Sequence, residues 1–208
     1  MRLLAVCIGH PEILRGKRYK TGINKHPASE SLTLGAEGLE GDAVCDRRYH
    51  GGIDQAVYVE GGASLEKWNQ ELGRPIAFGE FGENLVIDGL DNELVAVGDR
   101  LTIGNVVLEV TAPRMPCATF AAKMRDPHFV KRYRKAERPG FYCRVIAGGT
   151  LSAGSDVTFD IYDGTRITMP QMMRDFGKTV SGDRLAAYLS APIHNKLRTS
   201  LESGKVKF

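Results

Sequence analysis

Apolar residues along the chain fall mostly in short β-branched or alternating runs, broken at close intervals by glycine, aspartate and asparagine. The opening segment, residues 2–9, reads as a first strand and is too short an apolar stretch for a signal peptide. Residues 9–33 are polar, turn-rich and poorly periodic, and Gln55 to Val59 follows as a short strand. Between Ala63 and Leu72 the apolar positions Leu65, Trp68 and Leu72 share one helical face. Ser64 is the expected N-cap of that helix and Gly73 its C′ residue. Residues 93–97, 100–103 and 106–111 predict strands, with hairpin turns at Gly98-Asp99 and Gly104-Asn105. Residues 120–124 and 128–135 read as helices, then 140–146 and 156–161 as strands.

The pattern changes after about Thr168. Residues 170–176, 183–189 and 192–201 predict short helices, with Ser181 capping the second, Pro192 in the first turn of the third and Gly204 stopping it. Ile193, Leu197 and Leu201 repeat every four residues as one apolar stripe. The expected fold is mainly β (α+β). A barrel or sandwich with peripheral helices occupies residues 1–165, and a short C-terminal three-helix element occupies 166–208.

Composition narrows the function classes. A net charge of +3 over 208 residues gives little support to a general polyanion binder, and no basic stripe interleaved with aromatics argues for nucleic acid. No run of 18 apolar residues predicts a membrane helix. Cys7, Cys45, Cys117 and Cys143 are widely spaced without a Cys-x-x-Cys pair, which points to reduced thiols and a cytoplasmic setting. The basic run Lys131-Arg-Tyr-Arg-Lys135 with Arg138 reads first as a solvated helix face, and otherwise as an anion site or a surface for an acidic protein.

The sharpest chemical signal is Arg114-Met115-Pro116-Cys117. Pro116 stiffens the turn that presents the thiol, while Arg114 supplies a permanent cation that favours a thiolate and grips anions. The opposing reading is a buried structural cysteine, since free cysteines are commonly buried. His50-Gly51-Gly52-Ile53-Asp54 offers an imidazole, exposed amides and a carboxylate, or simply a braced loop. Phe81-Gly82-Glu83-Asn84 sets a carboxylate and an amide on a tight turn, and Lys20 to Lys25 brackets a hydroxyl and a glycine with lysines. Cys45 and His50 lack the second pair that a zinc site needs. Phosphate-loop, dinucleotide-fold and serine-elbow motifs do not occur.

Taken in order, Thr21-Gly-Ile-x-Lys25, Gly38-Leu-x-Gly-Asp42, His50-Gly-Gly-x-Asp54, Phe81-Gly-Glu-Asn-Leu85, Gly98-Asp99 and Arg114-x-Pro-Cys117 resemble the MOSC family, the C-terminal domain type of molybdenum cofactor sulfurases. The resemblance spans roughly residues 18 to 160, and the tail with Leu197-Arg-Thr and Ser203-Gly-Lys205 is similar to stand-alone bacterial YiiM-like members. It implies a β-barrel-like domain and binding of the molybdenum cofactor (molybdopterin). Cys117 would be the metal ligand and, with His50, a catalytic residue. Lys25, Arg47, Arg48, His50, Gly51, Gly52, Asp54, Glu83, Asn84 and Arg114 would hold or orient the pterin and its phosphate. The implied activity is two-electron reduction of N-hydroxylated compounds such as 6-hydroxylaminopurine, a detoxification, with an external flavoprotein as electron donor. A non-catalytic cofactor or sulfur carrier is the alternative. Val44, Ile53 and Gly61-Gly62 depart from the family pattern and bear on the substrate side.

Overall fold

The computed structural model describes residues 1–204. Strand β1, Leu3–Gly9, buries Leu3, Ala5, Val6 and Cys7, so both of its faces are covered. A polar stretch then makes four short strands, β2 (Glu12–Ile13), β3 (Lys20–Thr21), β4 (Lys25–Pro27) and β5 (Leu32–Gly35), followed by β6 (Gly38–Leu39). A 3-10 turn at Ile53–Gln55 leads into β7 (Val57–Gly61), α1 (Gly62–Leu72) and β8 (Leu85–Ile87). Strands β9 (Arg100–Ile103) and β10 (Val106–Pro113) precede α2 (Ala118–Lys123) and α3 (Phe129–Ala136). The chain continues through β11 (Phe141–Ala147), β12 (Gly149–Leu151) and β13 (Thr158–Asp160), and ends in α4 (Met169–Asp175), α5 (Gly182–Ser190) and α6 (Asn195–Glu202).

The main sheet has eight strands in the order β13-β9-β10-β11-β7-β8-β1-β4, antiparallel except for the β7–β8 pair. Its ladder does not close. Its flanks nevertheless meet where Arg2 bridges Asp156, and Leu3 N–H donates to the Ser155 carbonyl at 2.9 Å. The result is a nearly closed barrel, with its core built from Val57, Val59, Leu85, Leu101, Leu108 and Val110. The expectation of a mainly β, barrel-like fold with peripheral helices is met.

The C-terminal helices join that same core through Met169, Met172, Tyr188 and Leu201. A second apolar cluster lies outside the barrel, where Trp68 stacks on Tyr133 with 5.6 Å between ring centroids and Phe120 meets Phe129 at 5.0 Å. It fastens α1, α2 and α3 together, and Phe120 belongs to the first turn of α2, the helix that Cys117 caps.

Three local expectations need correction. Helix α1 begins from Gly61, and Ser64 lies inside it, where its hydroxyl accepts from Asn92 N–H at 2.9 Å. Residues 92–94 form a 3-10 turn rather than a strand, capped by the Asp91 carboxylate. Helix α6 starts at Asn195 with His194 as N-cap, so Pro192 sits outside it. At Ser64 a tertiary hydrogen bond outweighs local propensity, while at Asp91 and His194 a local side-chain cap sets the boundary. The expected helical extension runs to residue 208, of which 205–208, including Lys205, lie outside the described residues.

Candidate functional site

The end of β10 fixes the position of the thiol. Arg114 N–H donates to the Gly140 carbonyl at 2.8 Å, which extends the β10–β11 pairing by one residue. The chain then turns through Met115 and Pro116, and Cys117 becomes the N-cap of α2 with its side chain making no capping bond. The half-buried sulfur faces a cavity of about 660 Å³. Lys25, His50, Gly51, Asn84, Arg114 and Cys117 all line that cavity, so segments separated by up to 92 residues converge there.

Arg114 carries the electrostatics. Only 5% of its surface is exposed, and its guanidinium lies 3.9 Å from the Phe120 ring centroid. One nitrogen donates to the Met115 carbonyl at 2.7 Å, but Nε has no hydrogen-bond partner among the described residues. No carboxylate of the described residues pairs with it either. Burial opposes its charge, yet Tyr58, Tyr142 and Cys117 around it hold its pKa above the usual value. A buried guanidinium in this state is costly unless an anion enters the cavity beside it.

Lys25 is arranged differently. Its ammonium is paired with the Asp42 carboxylate, both groups being 8% exposed. Asp42 also accepts from Gly9 N–H and from the Asn84 amide, each at 2.9 Å. Asn84 in turn accepts from Tyr58 N–H at 3.1 Å and donates to the Cys7 carbonyl at 3.1 Å. This network ties β1, β7 and the Phe81–Asn84 turn into one floor.

The His50 loop closes one wall. Gly51 has φ of +75°, and a Cβ there would meet a Val44 methyl at 2.9 Å. His50 is at the rim, and its pKa is lowered by partial burial and then by the charge of Arg114. Arg47 pairs with Glu37 at 3.0 Å on the surface, and Arg48 lies over the Tyr49 ring. Neither arginine lines the cavity, nor do Gly52, Asp54 and Glu83. Asp54 faces the C-terminal helices, as described below. Glu83 is fully buried, with one oxygen accepting from Gly79 N–H at 2.6 Å and the other without a hydrogen-bond partner among the described residues.

The sequence profile of the MOSC domain matches residues 46–158, just over half of the chain. This protein belongs to the MOSC family. It is 36% identical over 157 residues to the uncharacterized protein YflK of Bacillus subtilis (strain 168), covering 74% of this chain and 71% of that one. It is 29% identical over 136 residues to protein YiiM of Escherichia coli (strain K12), covering 64% and 61% of the two chains. A protein named "Reductase" from Gibberella moniliformis is 29% identical over 147 residues, which is 69% of this chain but 26% of its length. Among solved structures, YiiM from Geobacillus stearothermophilus aligns over 97% of both chains with a TM-score of 0.76 at 22% identity. YiiM from Escherichia coli aligns with a TM-score of 0.74 at 22% identity, over 100% of this chain and 96% of that one. The fold is therefore that of YiiM-like MOSC proteins, a molybdenum-cofactor-related family.

The MOSC cavity also has walls outside the set of site residues expected from the sequence. Lys20, Cys45, Tyr58, Tyr142 and Phe176 line it, and the Tyr19 hydroxyl reaches Thr119 Oγ1 at 2.9 Å across its edge. Lys20 and Cys45 stood within segments already marked as chemical, so their residue types were the available signal. Phe176 had none, because it arrives from the end of α4, beneath the Arg134 guanidinium. Among the described residues no helix is long and apolar enough to cross a membrane, and all four cysteines are free.

Proposed function

We propose that this MOSC protein binds the molybdenum cofactor in the Cys117 cavity and reduces N-hydroxylated substrates, such as 6-hydroxylaminopurine, with electrons from an external flavoprotein. The observation that supports the reading best is the buried Arg114, which has no carboxylate partner among the described residues, in the same cavity as a free thiol. The donor set suits the group: a soft sulfur for the metal, and Arg114 and Lys20 with the Gly22 and Gly51 backbone for its anionic tail. When bound, the cofactor supplies two-electron chemistry at oxygen. Lys25, neutralised by Asp42, is then a structural cation of the floor, and His50 stands where a ligand enters. The roles of Arg47, Arg48, Gly52, Asp54 and Glu83 are indirect, through loop position. We infer likewise that residues 1–165 are the barrel unit and 166–208 an extension that completes the site through Phe176.

Molybdenum and pterin content per chain, for wild type and Cys117→Ala purified anaerobically from a cofactor-competent host, tests the binding step. Metal in the wild type and its loss from a folded variant is the expected result. Reduction of 6-hydroxylaminopurine by the loaded protein with a strong artificial reductant tests the activity. Bound cofactor without turnover would favour a cofactor or sulfur carrier. Cys45 in the same cavity gives that second reading its support, since it places another free thiol within the site.

A further inference from the structure

Behind the cavity wall lies a buried acid that the site as described leaves unused. Glu60, on β7, is 0% exposed and does not line the cavity. One of its oxygens accepts the Tyr58 hydroxyl in a short hydrogen bond, and Tyr133 from α3 approaches that same oxygen at 3.4 Å. Its other oxygen accepts from the Asn92 amide at 2.6 Å. Tyr58 does line the cavity, with the Arg114 guanidinium 5.8 Å from its ring centroid. Charged groups that act on this carboxyl among the described residues include Arg114, on the turn after β10, and Glu83, on the turn before β8. Gly140 seals the arrangement, since a Cβ there would collide with Glu60 Oε1 and with the Tyr58 ring. Tyr142 lines the cavity too, but no described carboxylate accepts its hydroxyl.

We propose that Tyr58 is the proton donor to ligands in the cavity and that Glu60 is the proton store behind it. The inference rests on the reductase reading for its chemistry. Cleaving an N–O bond to release amine and water consumes two electrons, here from the reduced flavoprotein, and two protons. Tyr58 gives one proton to the departing hydroxyl oxygen as protonated Glu60 gives its own to the phenolic oxygen. The second proton, taken up at nitrogen, and the one that recharges Glu60 come from water. Burial first, offset by the hydrogen bonds of Tyr58 and Asn92, pushes the Glu60 carboxyl up to about 7, where it holds and releases a proton near neutrality.

Infrared difference spectroscopy of the cofactor-free protein tests the store without any turnover. A protonated carboxyl band that titrates near pH 7 and disappears in Glu60→Gln is expected. In Tyr58→Phe, which keeps the ring packing, the band should remain but shift. For loaded protein, both variants should keep their molybdenum and KM while kcat falls by about 100-fold, the scale of lost general acid catalysis. The alkaline fall of wild-type kcat across pH 7 should flatten in Glu60→Gln. Absence of the titrating band, or an unchanged pH profile in Glu60→Gln, overturns the relay. A wild type that binds cofactor and shows the band but never reduces the substrate sinks the reductase reading instead, and leaves the buried store standing.

Discussion

Asp54 accepts a hydrogen bond from the backbone N–H of Asn195 at 2.8 Å, so a single carboxylate joins the loop of His50 to the first residue of α6. Its other oxygen lies 2.9 Å from Arg144 Nη2, an ion pair in geometry that falls short of a hydrogen bond. Arg144 also donates to the Pro192 and Ile193 carbonyls at 3.2 and 3.0 Å. The C-terminal extension is thus latched to the site wall. Asp54→Ala leaves the partly buried Arg144 guanidinium with Glu109, 3.5 Å away, as its one counter-charge among the described residues. We expect a loss of about 2 kcal/mol in urea unfolding, less than the 3–5 of a fully orphaned buried charge. An unchanged unfolding midpoint would show that the latch is ornamental.

Arg114 should trade stability for binding. Met in its place keeps much of the volume over Phe120 and removes a buried charge that has no described carboxylate partner. Arg114→Met is therefore expected to be as stable as wild type or up to about 2 kcal/mol more stable. The same substitution should abolish retention of the anionic cofactor. Thermal unfolding and molybdenum content, measured on one preparation, check both halves. A destabilised variant with full metal content would refute the assignment.

Much of this architecture was legible in the chain, and the failures have a common cause. The strands around Arg100–Ile103 and Val106–Pro113 lie within a residue or two of their expected ends, because glycine turns and β-branched runs act locally. The ordered motifs likewise named Cys117, Arg114, His50 and Asn84, which do meet in one cavity. Ser64 misled because a capping residue type serves equally well inside a helix when a partner such as Asn92 arrives from another segment. Asp54 was readable as a loop carboxylate, but its partners Arg144 and Asn195 are 90 and 141 residues away. Tyr58 falls in an ordinary strand expected to end at Val59, and Glu60 lies just past that end; alternation says nothing about what stands behind a sheet.

Gly61, expected from the family resemblance to depart from the usual pattern, has a packing reason. A Cβ there would collide with the Leu90 carbonyl oxygen and come within 2.9 Å of the Asn92 side chain. Both neighbours are fixed, Leu90 by accepting from Ala63 N–H and Asn92 by accepting from Gly61 N–H at 2.9 Å. Gly61→Ala should therefore destabilise by about 1–3 kcal/mol, although its φ of −85° suits alanine. Because Asn92 also holds Glu60, the infrared band of that carboxyl should shift in the variant. Equal stability of the two proteins by urea titration would contradict this account of the close approach.

Glu83 makes stability depend on pH in a direction opposite to that of a paired carboxylate. Burial, then the charge of Glu60, raises its pKa from 4.5 to about 8. Between those values the folded state keeps a proton that the unfolded chain has released, so stability falls as pH rises, by about 1.4 kcal/mol per unit at most. Glu83→Gln removes the titration but keeps an oxygen to accept from Gly79 N–H. The two proteins should therefore unfold at similar urea concentrations near pH 5. Wild type should then lose ground to the variant steadily up to about pH 8, where the difference reaches on the order of 2 kcal/mol or more. Parallel pH dependences would mean that the Glu83 carboxyl is already ionised in the folded protein at neutrality, and that a counter-charge reaches it in solution.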